Sequence, residues 1–358
     1  MNDVLFARRG GLGMITLNRP TAINALNHGM VTAITERLED WADDRSVRTV
    51  LIGGSGARGL CAGGDIVSLY RDATSGDGRE SAAFWADEYR LNALIAEYPK
   101  PYVALMDGIV LGGGIGVSAH GSHRVVTERS SIGMPETGIG FVPDIGGTWL
   151  LSHAPGELGT HLGLTAGSVR AGDAIALGLA DHYLLAERIP ELVVALERQG
   201  ADEAIASIAV PAPGSALLAQ REWIDAAYAG DDALEIVTRL AASPVEEARA
   251  AAEAIRSKSP TAVALTLASL RRAAGLSSLE EALEQEFRVS IRAVRAHDFA
   301  EGVRAQVIDR DRTPHWSPAA LEQVDAAEVA AYFAELRDDE PQFSLRRPTL
   351  STSRGAQS

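Results

Sequence analysis

Residues 108–147 read GIVLGGGIGVSAHGSHRVVTERSSIGMPETGIGFVPDIGG. Before them the apolar run from Val103 to Met106 leads to three glycines, Gly112 to Gly114, and a small-residue segment from Ile115 to His120 follows. A glycine turn that feeds a helix start offers backbone N–H groups to an anionic oxygen. Further on, MPETGIGFVPDIGG sets Glu136 and Asp144 in a loop bounded by glycine and proline. A lone carboxylate in a loop is usually just solvated. Here Met134, Pro135, Phe141, Val142 and Pro143 supply an apolar surround. Burial raises a carboxyl pKa and makes the group a candidate acid, base or nucleophile. The stretch therefore reads as an active site.

A second glycine turn, Ala62-Gly63-Gly64-Asp65, lies about fifty residues earlier, after a buried strand and before a helix near Ile66 to Tyr70. Both turns fit two readings. They are tight turns with close packing, or they converge as an oxyanion hole that polarises a carbonyl. The GSGARG at 54–59 matches GxGxxG after a strand, but no helix opens at Gly59, so a dinucleotide site is set aside. Cys61 has no histidine near it in sequence and reads as a small buried hydrophobe. Ser118 and His120 form no GxSxG, which argues against a serine-elbow hydrolase. His297, Asp298 and His315 read as structural.

Outward from these turns, strands alternate with helices, which implies parallel βαβ units. Residues 3–9 and 12–18 read as strands joined at Gly10-Gly11. Asn27 is placed to cap a helix with Met30, Ile34, Leu38 and Trp41 on one face. A strand is expected over 47–52, a mobile loop at RDATSGDGRE, and a helix over 81–98 stopped by Pro99 and Pro101. Further strands are expected at 103–106 and 123–127. Two short helices split at Ala166-Gly167 fill 158–180, and the alanine-rich remainder is helical, with amphipathic helices over 261–274 and 279–296. The expected division is a core over 1–195, a helical region over 196–340 that covers the core or a neighbour, and a disordered tail over 341–358.

The 358 residues carry a formal net charge of -15, which argues against a nucleic-acid or anionic-membrane surface. One cysteine excludes an internal disulfide framework and fits a reducing compartment. The scattered histidines show no metal-ligand spacing, so no metal is expected. No run of 18 apolar residues predicts a membrane span. The start MNDVLFARRG lacks the apolar stretch of a secretory signal, and the expected location is the cytoplasm.

Five segments carry a resemblance: NRPTAINALN, LCAGGDI, KPYVALMDGIVLGGGIGVSAHG, MPETGIGFVPDIGG and LTAGSVRAGDAIALGLADH. Together, over about residues 3–335, they resemble the crotonase (enoyl-CoA hydratase/isomerase) superfamily. DEYRLN at 87–92, SPTAVALTL at 259–267 and HDFAEGVRAQVIDRDRTPHWSP at 297–318 are most similar to its 3-hydroxyisobutyryl-CoA hydrolase subgroup. The resemblance implies an α/β fold, a ββα spiral core with a C-terminal helical region. It implies an acyl-CoA substrate, no further cofactor, and a homo-oligomer. It puts the thioester oxygen on the N–H groups of Gly64 and Gly113, and CoA along Ala25, Ala62, Asp65 and Ile66. Glu88, Gly113, Glu136 and Asp144 would meet the acyl part.

The chain departs from the hydratase pattern at Gly116, where hydratases carry the first of two glutamates; the second matches Glu136. Asp144 stands where hydratases usually have glycine, a swap the hydrolase subgroup shares. The implied reaction is hydrolysis of a short 3-hydroxyacyl-CoA thioester by Glu136 and Asp144, as in valine catabolism. The rivals are an enoyl-CoA hydratase/isomerase and a non-catalytic acyl-CoA-binding protein of the same fold.

Overall fold

The computed structural model describes residues 2–345. The chain begins with an antiparallel hairpin, β1 (Val4–Arg9) and β2 (Leu12–Leu17). From β2 onward the sheet is parallel, in the order β1-β2-β3-β5-β7-β10. Here β3 is Thr49–Gly54, β5 is Tyr102–Met106, β7 is His123–Val126 and β10 is His182–Tyr183. β5 is buried along its whole length, as a parallel strand covered on both faces should be.

A smaller sheet stands beside this one, in the order β4-β6-β8-β9. It contains β4 (Gly59–Cys61), β6 (Ile109–Leu111), β8 (Ser131–Gly133) and β9 (Ser168–Val169). Three times in succession the chain runs one strand of the large sheet, one three-residue strand of the small sheet, and then a helical segment. That repeat is the expected ββα spiral, and helices follow it toward the C-terminus.

Local chemistry explains the first helices. Asn27 Oδ1 accepts the Met30 N–H at 2.9 Å and caps α1 (His28–Asp43), whose Met30, Ile34, Leu38 and Trp41 are buried. Asp65 caps α2 (Ile66–Ser75). α3 (Arg79–Ala96) follows after a short turn. The mobile loop expected at RDATSGDGRE is therefore corrected. Its first half is the end of α2, and its turn is fastened by buried Asp72, which accepts the Gly78 N–H at 3.2 Å and the Ser81 N–H and hydroxyl at 2.8 and 2.7 Å. One side chain replaces the backbone partners that the turn lacks.

Two long helices in the C-terminal region, Pro260–Ala273 and Leu279–Ala293, pack back onto the spiral; Leu279–Ala293 lies against α3. The tail expected over 341–358 falls outside the described residues from 346 on. Within 341–345, Phe343 stacks on Phe287 with ring centroids 4.7 Å apart. No helix among the described residues is long and apolar enough to cross a membrane.

Candidate active site

Parallel pairing of β4 with β6 puts the two glycine turns at the same end of the small sheet. A Cβ built on Gly113 would lie 3.3 Å from Gly64 N, so the turns face each other across a narrow gap. Gly113 opens the single-turn helix α4 (Gly113–Gly116), and its N–H is one of the donors that a helix start leaves free. Neither the Gly64 nor the Gly113 N–H has a backbone acceptor among the described residues. Gly112, at φ +47, adopts a backbone that an L side chain rarely takes, and a Cβ there would lie 2.6 Å from Glu136 Oε1. The glycines are required because carboxyl groups occupy the space where side chains would be.

Glu136 begins a helical turn after Pro135 and is 7% exposed; Asp144 is 5% exposed. Of the loop's apolar residues, Met134, Phe141 and Val142 are buried as well, and Phe141 stacks on Trp85 with ring centroids 5.3 Å apart. Glu88 comes from α3, is 2% exposed, and its Oε1 would lie 2.7 Å from a Cβ on Gly113. Glu88 and Glu136 thus meet at the glycine turns, and Asp144 is near enough for its charge to act on both. Burial, then the charge of Asp144, holds both Glu88 and Glu136 well above the usual carboxyl range. Burial lifts Asp144 to about 7, opposed by the hydrogen bond from Tyr89. Glu88 Oε1 and Glu136 Oε2 have no protein partner.

Asp144 is held from two directions. The Tyr89 hydroxyl donates to Asp144 Oδ2 at 2.8 Å and lies 2.9 Å from Ser290 Oγ. On the backbone side, Gly146 N–H and Thr148 N–H donate to Glu286 at 2.6 and 2.9 Å, and the Thr148 hydroxyl donates at 2.5 Å. Despite these donors, burial pushes Glu286 up to about 8. Between them Ile145 sits at φ +56, a strained conformation for a β-branched residue. Its carbonyl faces His120 Nε2 at 2.8 Å. Glu286 and Ser290 are one turn apart on the helix Leu279–Ala293, so one helix face supports the whole loop.

Gly116 is closely packed. A Cβ there would lie 2.7 Å from Asn92 Nδ2 and 3.0 Å from Ile145 Cβ. The space over Gly116 is filled by α3 and by the Asp144 loop, so no carboxylate side chain fits without displacement.

Ala25, Ala62, Asp65 and Ile66 are brought together at the mouth. Leu26 N–H donates to the Gly63 carbonyl at 2.8 Å, Asp65 N–H to the Leu26 carbonyl at 2.7 Å, and Ala62 N–H to the Ile23 carbonyl at 2.9 Å. Arg19 ties the Ala25 carbonyl to the Asp65 carboxylate, at 2.6 and 2.9 Å. A cavity of about 560 Å³ opens beside them, lined by Leu26, Asn27, Asp65, Leu69 and Phe84 among others. Phe84, which lines this cavity, stands 3.5 Å from where a Gly64 Cβ would be.

Cys61 is fully buried and its thiol is pushed up to about 12 by burial, which leaves it a packing residue. His297 Nε2 meets the His315 carbonyl at 2.9 Å, and Asp298 accepts from Ser259 and Ser317, all structural contacts. Among the described residues, no group of three or more His, Cys, Asp or Glu side chains is placed to hold a metal ion. Sequence reasoning missed Tyr89, Asn92, Glu286 and Ser290. Tyr89 and Asn92 lay inside the quoted DEYRLN; nothing local marked the other two.

A family model described as enoyl-CoA hydratase/isomerase matches residues 12–333. The chain belongs to this family, the crotonase superfamily. It is similar to mitochondrial 3-hydroxyisobutyryl-CoA hydrolases. The Gallus gallus protein is 37% identical over 350 residues, covering 94% of this chain and 90% of the relative. The Homo sapiens protein is 35% identical over 353 residues, covering 95% and 91%. Among solved structures, a carnitinyl-CoA dehydratase from Mycobacterium thermoresistibile is 51% identical with TM-score 0.92, covering 97% of this chain and 100% of that one. An enoyl-CoA hydratase from Rhodobacter sphaeroides is 43% identical with TM-score 0.89, covering 94% and 98%.

The cytoplasmic location expected above is corrected by these relatives, whose names place them in mitochondria.

Proposed function

We propose that this chain hydrolyses a short 3-hydroxyacyl-CoA thioester, 3-hydroxyisobutyryl-CoA or 3-hydroxypropionyl-CoA, to the free acid and CoA, as in valine catabolism. The observation that carries this reading is the closure of the space over Gly116 by Asn92 and Ile145. Adding water across a double bond with two glutamates requires a carboxylate there. The second acid of this site enters instead from Asp144.

In this reading CoA lies along Ala25, Ala62, Asp65 and Ile66. The N–H groups of Gly64 and Gly113 receive the thioester oxygen and stabilise the charge that develops on it. Glu136 and Asp144 titrate as a pair. Asp144 ionises first, and transfer of the Glu136 proton to Asp144 leaves a Glu136 carboxylate beside the polarised carbonyl. That carboxylate attacks the carbonyl carbon, or takes a proton from a water that does so. The C–S bond breaks and Asp144 gives its proton to the leaving thiolate. On the first route this leaves a transient anhydride between Glu136 and the acyl group, which a water, giving its proton to Asp144, opens to the free acid and Glu136. Asp144 and Glu88 also meet the acyl part, with Asp144 toward the substrate hydroxyl.

The names of the two similar solved structures favour a second reading, water addition or loss on an acyl-CoA. An acyl-CoA panel separates the two. Thiol release from 3-hydroxyacyl thioesters supports hydrolysis. Loss of enone absorbance from crotonyl-CoA without thiol release supports hydration and sinks the proposal.

A further inference from the structure

Asn92 is the most conspicuous polar residue without an assigned role. It lies on α3 one turn beyond Glu88, is fully buried, and neither its Nδ2 nor its Oδ1 has a protein hydrogen-bond partner. A buried amide left without partners is costly, so such a group is expected to meet a ligand or water. Its neighbours show where it points. Asn92 Nδ2 would lie 2.7 Å from a Cβ on Gly116, and Ile145, next to Asp144, borders the same spot. Glu88 and Asn92 therefore span the length of α4, Glu88 over Gly113 and Asn92 over Gly116.

The spacing fits a particular ligand. From Gly113 to Gly116 is three residues of helix, a rise of roughly 4.5 Å, the scale of the separation between a thioester oxygen and a hydroxyl two carbons away. An alcohol both accepts and donates. Asp144, once ionised, can only accept from that hydroxyl. The Asn92 carboxamide supplies a fixed donor on the hydroxyl's other side.

We propose that the Asn92 carboxamide donates to the 3-hydroxyl oxygen of the substrate while that hydroxyl donates to a site carboxylate. Asn92 is then the residue that selects hydroxylated acyl chains over plain ones. This rests on the thioester-hydrolysis reading above and names the contact that sets its substrate class.

The test measures thiol release from 3-hydroxyisobutyryl-CoA and from isobutyryl-CoA with wild type, Asn92→Leu and Asn92→Ala. Expected is a wild-type preference for the hydroxylated thioester, reduced at least tenfold in both variants, with the rate on isobutyryl-CoA kept within about threefold. Sites built to bond a hydroxyl reject analogues lacking it by far more than this, about 10⁴–10⁵. Equal losses on both substrates in a variant with a native melting curve, or no loss on either, overturn the proposal. Should both variants fail to fold, a crystal structure of Glu136→Gln holding the hydroxyacyl thioester decides. A hydroxyl oxygen beyond hydrogen-bond distance of the Asn92 amide nitrogen also overturns it. If the wild type releases no thiol from any acyl-CoA, the hydrolase reading itself has failed, a different result from loss of selectivity.

Discussion

Glu286 accepts the N–H of Gly146 from 140 positions away in the chain, at 2.6 Å, and so fixes the turn that carries Asp144. The same carboxyl takes the N–H and hydroxyl of Thr148. Each buried donor left unpaired costs about 1–3 kcal/mol. Glu286→Ala is therefore expected to lower stability by roughly 2–5 kcal/mol, read by urea unfolding. Turnover should fall more than KM rises, because the glycine turns are untouched while Asp144 loses its backbone support. An unchanged kcat would mean that Ile145 and its neighbours hold the turn unaided.

Asp144 titrates near 7, raised by burial and lowered by the Tyr89 hydroxyl. If its ionised form is needed, activity rises with pH through that value. Tyr89→Phe removes an interaction that favours the charged form, so the rising limb should move to higher pH. The pH profile of kcat/KM checks this. A limb that stays in place would show that another group governs it.

Glu136→Gln should lower kcat by about 10²–10⁴. Binding of the acyl thioester, followed by calorimetry, should persist, since Gln fits the same space beside Gly112. Near-native turnover would remove Glu136 from the mechanism.

Gly116→Ala puts a methyl 2.7 Å from Asn92 Nδ2 and 3.0 Å from Ile145 Cβ. Overpacking of this kind costs about 1–3 kcal/mol. We expect a lower melting temperature, and a loss of activity because both displaced neighbours border the site. Gly116→Glu should be worse folded and should not gain hydratase activity toward crotonyl-CoA. Full stability of the alanine variant would show that α3 yields easily.

Much of this architecture is legible in the sequence wherever one element is long enough to show a period. The buried face of α1 and its Asn27 cap can be read residue by residue, and β5 is an unbroken apolar run. The small sheet is not legible. β4, β6 and β8 are three residues each, too short to show alternation, and glycines mask them. Asp144 stands out as a carboxyl in an apolar loop. Its supports do not, because Tyr89, Glu286 and Ser290 reach it only through tertiary contact. Gly116 reads as a missing acid through the family resemblance alone, and the filler, Asn92, has no sequence spacing to announce it. RDATSGDGRE misleads because one buried aspartate, Asp72, orders a turn of otherwise disorder-prone composition.

The Tyr89–Ser290 contact joins residues 201 positions apart. A ribosome that has delivered the spiral and both glycine turns has still not delivered Ser290 or Glu286. The paired glycine turns thus precede the supports of Asp144 in synthesis, and Asp144 gains those supports only when the helix Leu279–Ala293 docks. Under the roles proposed above, activity is a late event in the life of each molecule, gated by synthesis of most of the chain.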